Sequence, residues 1–244
     1  MRGGSGMSRY NRQIPLLGKE GQRRLRSSLV AIVGLGGIGS PLTLYLAGAG
    51  VNLRLIDDDE VSLDNLHRQI LYGEDDVGLP KALVAEREVR RRNRDIAVEG
   101  IPQRLTRGNI GELLKGVDLV MDATDNFATR HIINKFCVEN KIPFVYSAIS
   151  GFYFAVTFIV PGETPCLRCI FPNVEDGGPV PVMGTTPAQV ASIAATEAVK
   201  YLAGMTPSLK GKLLMGNLKN VEFAEIKVRR DPRCPICGSL SDRN

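Results

Sequence analysis

Tryptophan is absent from this chain, and Phe and Tyr bring the aromatic share to only 6%. That leaves little material for the stacking surfaces on which proteins hold single-stranded nucleic acid. Histidine is almost as scarce. His67 and His131 are the two present, neither at ligand spacing to the other, so both read as structural or exposed rather than as metal ligands. No signal peptide, internal repeat or low-complexity segment is visible. The uncharged stretch Leu29 to Leu53 has the length of a membrane span, but it contains six glycines and Pro41 and opens on the β-like run Leu29–Val33. A buried strand, a tight turn and a buried helix account for it better, so a soluble, cytoplasmic protein with no membrane contact is expected.

What is present has the balance of a globular chain. The 244 residues, 43% hydrophobic and 23% charged, suit one large α/β domain or two small ones. Folding at this length buries roughly 70–75% of the unfolded surface, enough for a full core without staples. Residues Met1–Gly6 read as a vector-derived leader ahead of a natural start at Met7. The net charge of +5 owes much to one run, Arg87 to Arg94. That run reads as a solvated helix end complementing the helix dipole, or as a docking patch for an acidic protein. No nucleic-acid recognition module accompanies it, so direct nucleic-acid binding is not expected.

Periodicity predicts a helix over 12–26 and then strands and helices in alternation. Strands are expected at 28–33, 51–57, 96–103, 117–121 and 143–148, and helices at 39–50, 81–93, 109–115 and 127–140. This rhythm means βαβ units and a Rossmann-like, doubly wound, mainly parallel sheet. After Ser150 the character changes. Residues 151–160 alternate aromatic and β-branched side chains like an antiparallel strand, and 173–187 is a Gly- and Pro-rich surface loop. A helix at 188–202 and a hairpin of two strands, 212–218 and 221–228, complete an antiparallel C-terminal portion. A division near residue 150, into parts 7–150 and 151–244, follows.

Gly34, Gly36 and Gly39 form G-x-G-x-x-G between a strand and a helix, with Gly37 inside the turn and Asp57 at the end of the next strand. Glycines admit phosphate close to the backbone, the helix N-terminus favours negative charge, and Asp57 can bond ribose hydroxyls. The turn alone does not separate a dinucleotide from ATP. Arg68 and Lys81 suit a triphosphate, whose charge must be neutralised as it reacts. Asp125 lies just past a predicted strand, at the ligand edge of an open sheet, where a carboxylate can hold magnesium.

Four of the five cysteines form two C-x-x-C pairs, Cys166/Cys169 and Cys234/Cys237. Four thiolates at this spacing argue for one closed, structural zinc site, with redox dithiols as the alternative. Cys137 sits mid-helix and reads as a buried structural thiol.

Arg9-Tyr-Asn-Arg-Gln13, the Gly34–Gly39 turn, Asn65-Leu-His-Arg-Gln69, Gly78-Leu-Pro-Lys81, Ala123-Thr-Asp-Asn126 and the paired C-x-x-C together resemble the MoeB/ThiF/HesA family, relatives of ubiquitin-activating enzymes. The similarity runs in order from about Ser8 to Gly238. It implies an adenylyltransferase that uses ATP and Mg2+ on the C-terminal Gly-Gly carboxylate of a small ubiquitin-like sulfur-carrier protein. Its nucleotide set here would be Gly34, Gly36, Gly37, Gly39, Asp57 and Asp64, with Asn65, Arg68, Gln69, Lys81, Asp125 and Asn126. Arg68 and Lys81 would meet the phosphates, and Asp125 the magnesium, with Asn126 beside it. Arg12 matches an arginine that such enzymes insert into the partner subunit's site, which implies a homodimer. Residues 7–150 would bind ATP; residues 151–244 would bind the carrier, with the 173–187 loop crossing its tail and Zn2+ holding the C-terminus. A sulfurtransferase would take the adenylate onward, to molybdopterin, thiamine, another sulfur product or thiolated tRNA.

One departure bears on mechanism. Members that form a thioester on themselves carry a cysteine in the loop before the last long helix, and residues 173–187 have none. Adenylation without a catalytic-cysteine thioester is therefore expected. Three other readings stay open: adenylation of a peptide or a tRNA nucleoside, a non-catalytic partner subunit, and a Rossmann NAD-dependent oxidoreductase.

Overall fold

A computed structural model describes residues 9–172, 174 and 180–239. The proposed leader and start at 1–7, most of the loop at 173–179 and the last residues lie outside the described set. Eight strands form one sheet: β1 (Leu29–Val33), β2 (Asn52–Ile56), β3 (Val98–Ile101), β4 (Leu119–Asp122), β5 (Phe144–Ser150), β6 (Tyr153–Ile159), β7 (Lys212–Asn217) and β8 (Glu222–Lys227). Their spatial order is β3-β2-β1-β4-β5-β6-β7-β8. Strands β1 to β5 run parallel, and β6, β7 and β8 each run antiparallel to their predecessor.

The helices are α1 (Ile14–Ser27), α2 (Gly39–Ala49), α3 (Lys81–Arg92), α4 (Ile110–Leu113), α5 (Phe127–Asn140), α6 (Leu167–Ile170) and α7 (Thr185–Leu202). They cover the sheet on both faces, because alternate residues of each parallel strand point opposite ways. In β1, Val30 and Ile32 join a core with Leu42 and Leu46 of α2, Val89 of α3 and Ala191 and Ala194 of α7. Ala31 and Val33 join a second core with Leu113 of α4 and Ile133 and Cys137 of α5. A run apolar at every position is what this two-sided burial demands. The uncharged stretch from Leu29 thus becomes β1, a turn and α2, and no helix among the described residues is long and apolar enough to cross a membrane.

Expected elements and observed ones differ mainly at their ends. The last long helix starts at Thr185, three residues before the expected Ala188, so the end of the expected loop is its first turn. Thr, Thr and Pro are loop chemistry in isolation, but Pro in a helix's first turn loses no hydrogen bond. Helix α1 is interrupted at Gly18, whose φ of 74° is left-handed. Short helix α6, which starts just after Cys166 and contains Cys169, was not expected at all, since four residues show no period. The arginine run closes α3, where Arg90 pairs with Glu86 and Arg91 with Glu88, as a solvated helix end would.

Phe158 of β6 is wholly buried, its ring 5.0 Å from that of Tyr201 on α7. Truncation there leaves a cavity between sheet and helix, so Phe158→Ala should lower unfolding free energy by about 3–5 kcal/mol in urea denaturation.

Candidate functional site

The strand order reverses between β1 and β4, and the crevice at the carboxyl ends of those strands is where open α/β sheets bind ligands. Three loops meet there. The first is the Gly-rich turn. Gly34 has φ +87°, and a Cβ on it would stand 2.7 Å from the carbonyl oxygen of Ala123, just past β4. At Gly39 a Cβ would stand 1.9 Å from the carbonyl oxygen of Gly34. Both positions therefore need glycine: the turn closes on itself and presses on the β4 loop.

The second loop follows β2. Asp57 accepts the amides of Leu35 (2.6 Å) and Asp59 (2.8 Å), so it braces the Gly-rich turn. Burial raises its carboxyl above the ordinary range, and those two amides oppose the rise. Lys81, at the start of α3, is buried along its stem and pairs with the exposed Asp59 at 2.9 Å. A buried ammonium needs a counter-charge, and an arriving phosphate would compete with Asp59 for it. Over 64–69, Gln69 donates to Asn65 Oδ1 (2.7 Å) and Arg68 to the carbonyl of Asp64 (3.2 Å). The Asp64 carboxyl lies below its usual range, chiefly because the Ser62 hydroxyl donates to it. These residues face the glycines. A Cβ on Gly36 would lie 3.6 Å from Gln69 Nε2, and one on Gly37 would lie 3.6 Å from Arg68 Cδ.

The third loop follows β4. Asp125 is exposed, and Asn126 donates to its Oδ1 at 3.2 Å while capping α5 through the amide of Thr129 (2.8 Å). Asp122, wholly buried at the end of β4, accepts both the amide (3.1 Å) and the hydroxyl (2.7 Å) of Thr124. Burial holds its carboxyl above the ordinary range. Sequence reasoning missed Asp122 and its neighbour Arg130. An acidic residue closing an apolar strand was the available signal.

Arg12 is not brought to this cluster. It is exposed beside Tyr10, whose ring packs under Gly50 and whose hydroxyl accepts from Asn93 (3.0 Å). That is the far end of α2 from the glycines, about 16 Å of helix away at 1.5 Å per residue over 11 residues.

The four cysteines converge. Their sulfur atoms all lie within 4.8 Å of one another, with Cys166–Cys234 at 3.7 Å and Cys169–Cys237 at 3.4 Å. Four thiolates around zinc at about 2.3 Å stand about 3.8 Å apart, so the donor set fits that ion. The amide of Asp231 donates to Cys169 Sγ at 3.4 Å, as an outer-shell partner of a metal thiolate does. The tail is held against α5 as well as against the segment after β6, because Val138 belongs to the same cluster. Cys137 is fully buried beneath the sheet, and burial pushes its thiol far above the ordinary range.

A model of the ThiF family matches residues 10–236. The chain belongs to the ThiF family. Relatives include the sulfur carrier protein adenylyltransferase of Thermus thermophilus, 43% identical over 95% of this chain and 91% of its own length. The molybdopterin-synthase adenylyltransferase of Escherichia coli is 39% identical over 95% of this chain and 96% of its own. Among solved structures, E. coli MccB with MccA-N7isoASN superposes with a TM-score of 0.87 at 25% identity, covering 97% of this chain and 76% of that one.

For this ThiF-family chain, elemental analysis should find one zinc per chain. Its removal by a chelator, or Cys237→Ser, should lower Tm by about 10 °C, at roughly 2–4 °C per kcal/mol for this size.

Proposed function

We propose that this chain adenylates the C-terminal carboxylate of a small ubiquitin-like sulfur-carrier protein, using ATP and Mg2+ and releasing pyrophosphate. The observation that carries the protein-sized partner is a sheet face beside the nucleotide loops that is half-buried at Ala148 and Ala155, against the second core, and open at Met215 and Ala224. In β5 to β8, Ala148, Ala155, Met215 and Ala224 stand in one cross-strand row, flanked by Tyr153 and Ile226. Tyr153, Met215 and Ile226 are 58%, 42% and 45% exposed, an apolar patch of the kind that marks a protein-binding surface. β5 pairs Tyr146 with Asp122 and runs on to Ser150, so this face begins past the ligand edge. A tail leaving a protein docked there has a short path to the crevice. Gly151 also accepts the hydroxyl of Thr186 and donates to Pro181 at 2.8 Å, which draws the end of the 173–184 segment over that path.

In this reaction one oxygen of the carrier's carboxylate attacks the α-phosphorus of ATP. The bond to the bridging oxygen of pyrophosphate breaks, and the electron pair leaves on that oxygen. The nucleophile is already ionised, so no general base is needed, and the protein contributes alignment and charge neutralisation. Arg68 and Lys81 would meet the phosphates, Asp57 the ribose, and Asp125 with Asn126 the magnesium, which when bound neutralises phosphate charge. Arg12, remote from its own crevice, would serve the crevice of a second copy, in a homodimer with two composite sites. No thiol in 173–187 and a buried Cys137 favour release of the adenylate to an external sulfur donor over a thioester on the enzyme.

ATP–pyrophosphate exchange should require Mg2+ and a carrier with an intact Gly-Gly terminus, and should vanish in Asp125→Ala. Exchange with a short peptide and none with any carrier would favour a peptide substrate instead. Met215→Asp should raise the carrier KM about tenfold or more and leave ATP affinity alone, since it places a charge in the apolar row. Mixing inactive Arg12→Ala with inactive Asp125→Ala should restore part of the exchange through the one intact composite site of each mixed dimer. No restoration, with mixed dimers present, would contradict the shared arrangement.

A further inference from the structure

Thr124 immediately precedes Asp125, and all three of its polar groups are held from beneath. Asp122 takes its amide and hydroxyl, and Arg130, on the first turns of α5, donates to its carbonyl at 2.5 Å. Arg130 is 6% exposed, unusual for a guanidinium. Its carbon lies 5.0 Å from the centroid of the Phe127 ring and 5.1 Å from that of Tyr146, so two aromatic faces hold the plane of the fork. Phe171, just after α6, closes the cluster from outside, 6.0 Å from Phe127 and 5.4 Å from Tyr146. Asp122 Oδ2 and Arg130 Nε are buried without a hydrogen-bond partner among the described residues. The carboxyl and the guanidinium sit near each other without a direct salt bridge among the described residues, each spent instead on Thr124. Fold stability alone does not call for that arrangement, since apolar residues of similar volume would cost less to bury.

We propose that Arg130 is a positioning residue for Asp125. Resting on the adenylation reading above, it sets how far the Asp125 carboxylate reaches toward the metal–nucleotide complex by fixing the Thr124 peptide from below. Arg130 touches neither nucleotide nor carrier. It acts through the carbonyl of Thr124, while Asn126 fixes the other side of Asp125 by capping α5. Lysine keeps the charge but has no planar fork to lie between two rings while aiming one N–H at a carbonyl.

The test compares zinc-loaded full-length chain with Arg130→Lys and Arg130→Met, measuring Tm and the ATP dissociation constant with and without Mg2+ by calorimetry. Both variants should bind ATP without Mg2+ within about twofold of the parent, while the tightening produced by Mg2+ falls at least about tenfold, the scale expected when a site group shifts by a fraction of an ångström. Arg130→Lys should recover most of any Tm lost in Arg130→Met, but not the Mg2+ response. Should Arg130→Met fail to fold, the lysine variant carries the test. A full Mg2+ response in Arg130→Lys, or loss of ATP affinity equally with and without Mg2+, would overturn the proposal. Absence of any Mg2+ response in the parent would remove the adenylation reading and this proposal together.

Discussion

A tight main-chain contact joins the carboxyl ends of two neighbouring parallel strands, β1 and β4. The carbonyl of Ala123 lies where a side chain on Gly34 would be, and the carbonyl of Gly34 lies where a side chain on Gly39 would be. With those three backbones in contact, the first turn of α2 starts directly over β1 and against the end of β4. The amide of Leu35 is then presented to Asp57, and its carbonyl to the hydroxyl of Tyr72 at 2.9 Å. Each neighbouring loop is thus braced by the main chain of this turn. A Cβ at Gly34 would push the turn off the loop after β4, and one at Gly39 would push α2 off the turn, where the strand order reverses and the crevice opens.

Much of the frame was legible from periodicity. Strands buried on both faces read as continuous apolar runs, and the turn at Gly34–Gly39 needs glycine for reasons visible in its spacing. The paired C-x-x-C was legible because four thiolates have few other uses. Less could be read where a residue's role depends on distant chain. Asp122 and Arg130 carry no local pattern that marks them as a pair, and only the packing of Tyr146 and Phe171 around Arg130 reveals a buried clamp. Thr185–Pro187 looked like loop because its helical partner contacts lie on other elements: a Cβ on Gly37 would stand 3.2 Å from Pro187. The remoteness of Arg12 from its own crevice follows from where Tyr10 docks, under Gly50, which no local pattern encodes.

The two halves of the sheet differ in what they leave open. On the parallel side both faces are buried and the ends of the strands offer polar loops. On the antiparallel side β6 to β8 carry an apolar row that faces outward, and every residue of the edge strand β8 is exposed. The cysteine cluster ties the tail beyond β8 back to α5 and to the segment after β6, limiting how far that edge can move relative to the crevice. Phe171 follows the first cysteine pair by two residues and packs on the rings that hold Arg130. Cysteine cluster, clamp and ligand edge are therefore one contiguous packed unit rather than three separate features.

In the proposed reaction the bond made is between a carrier's terminal carboxylate and the α-phosphate of ATP. Intact-mass spectrometry of a Gly-Gly carrier after brief incubation with the protein, ATP and Mg2+, in the absence of any sulfur donor, tests it directly. The expected product is a carrier heavier by one adenylyl group (AMP less one water), localised to its terminal glycine, with the enzyme's own mass unchanged. AMP found on neither protein while ATP is consumed would contradict this reaction, and a carrier joined to the enzyme through a thiol-labile bond would contradict release of a free adenylate.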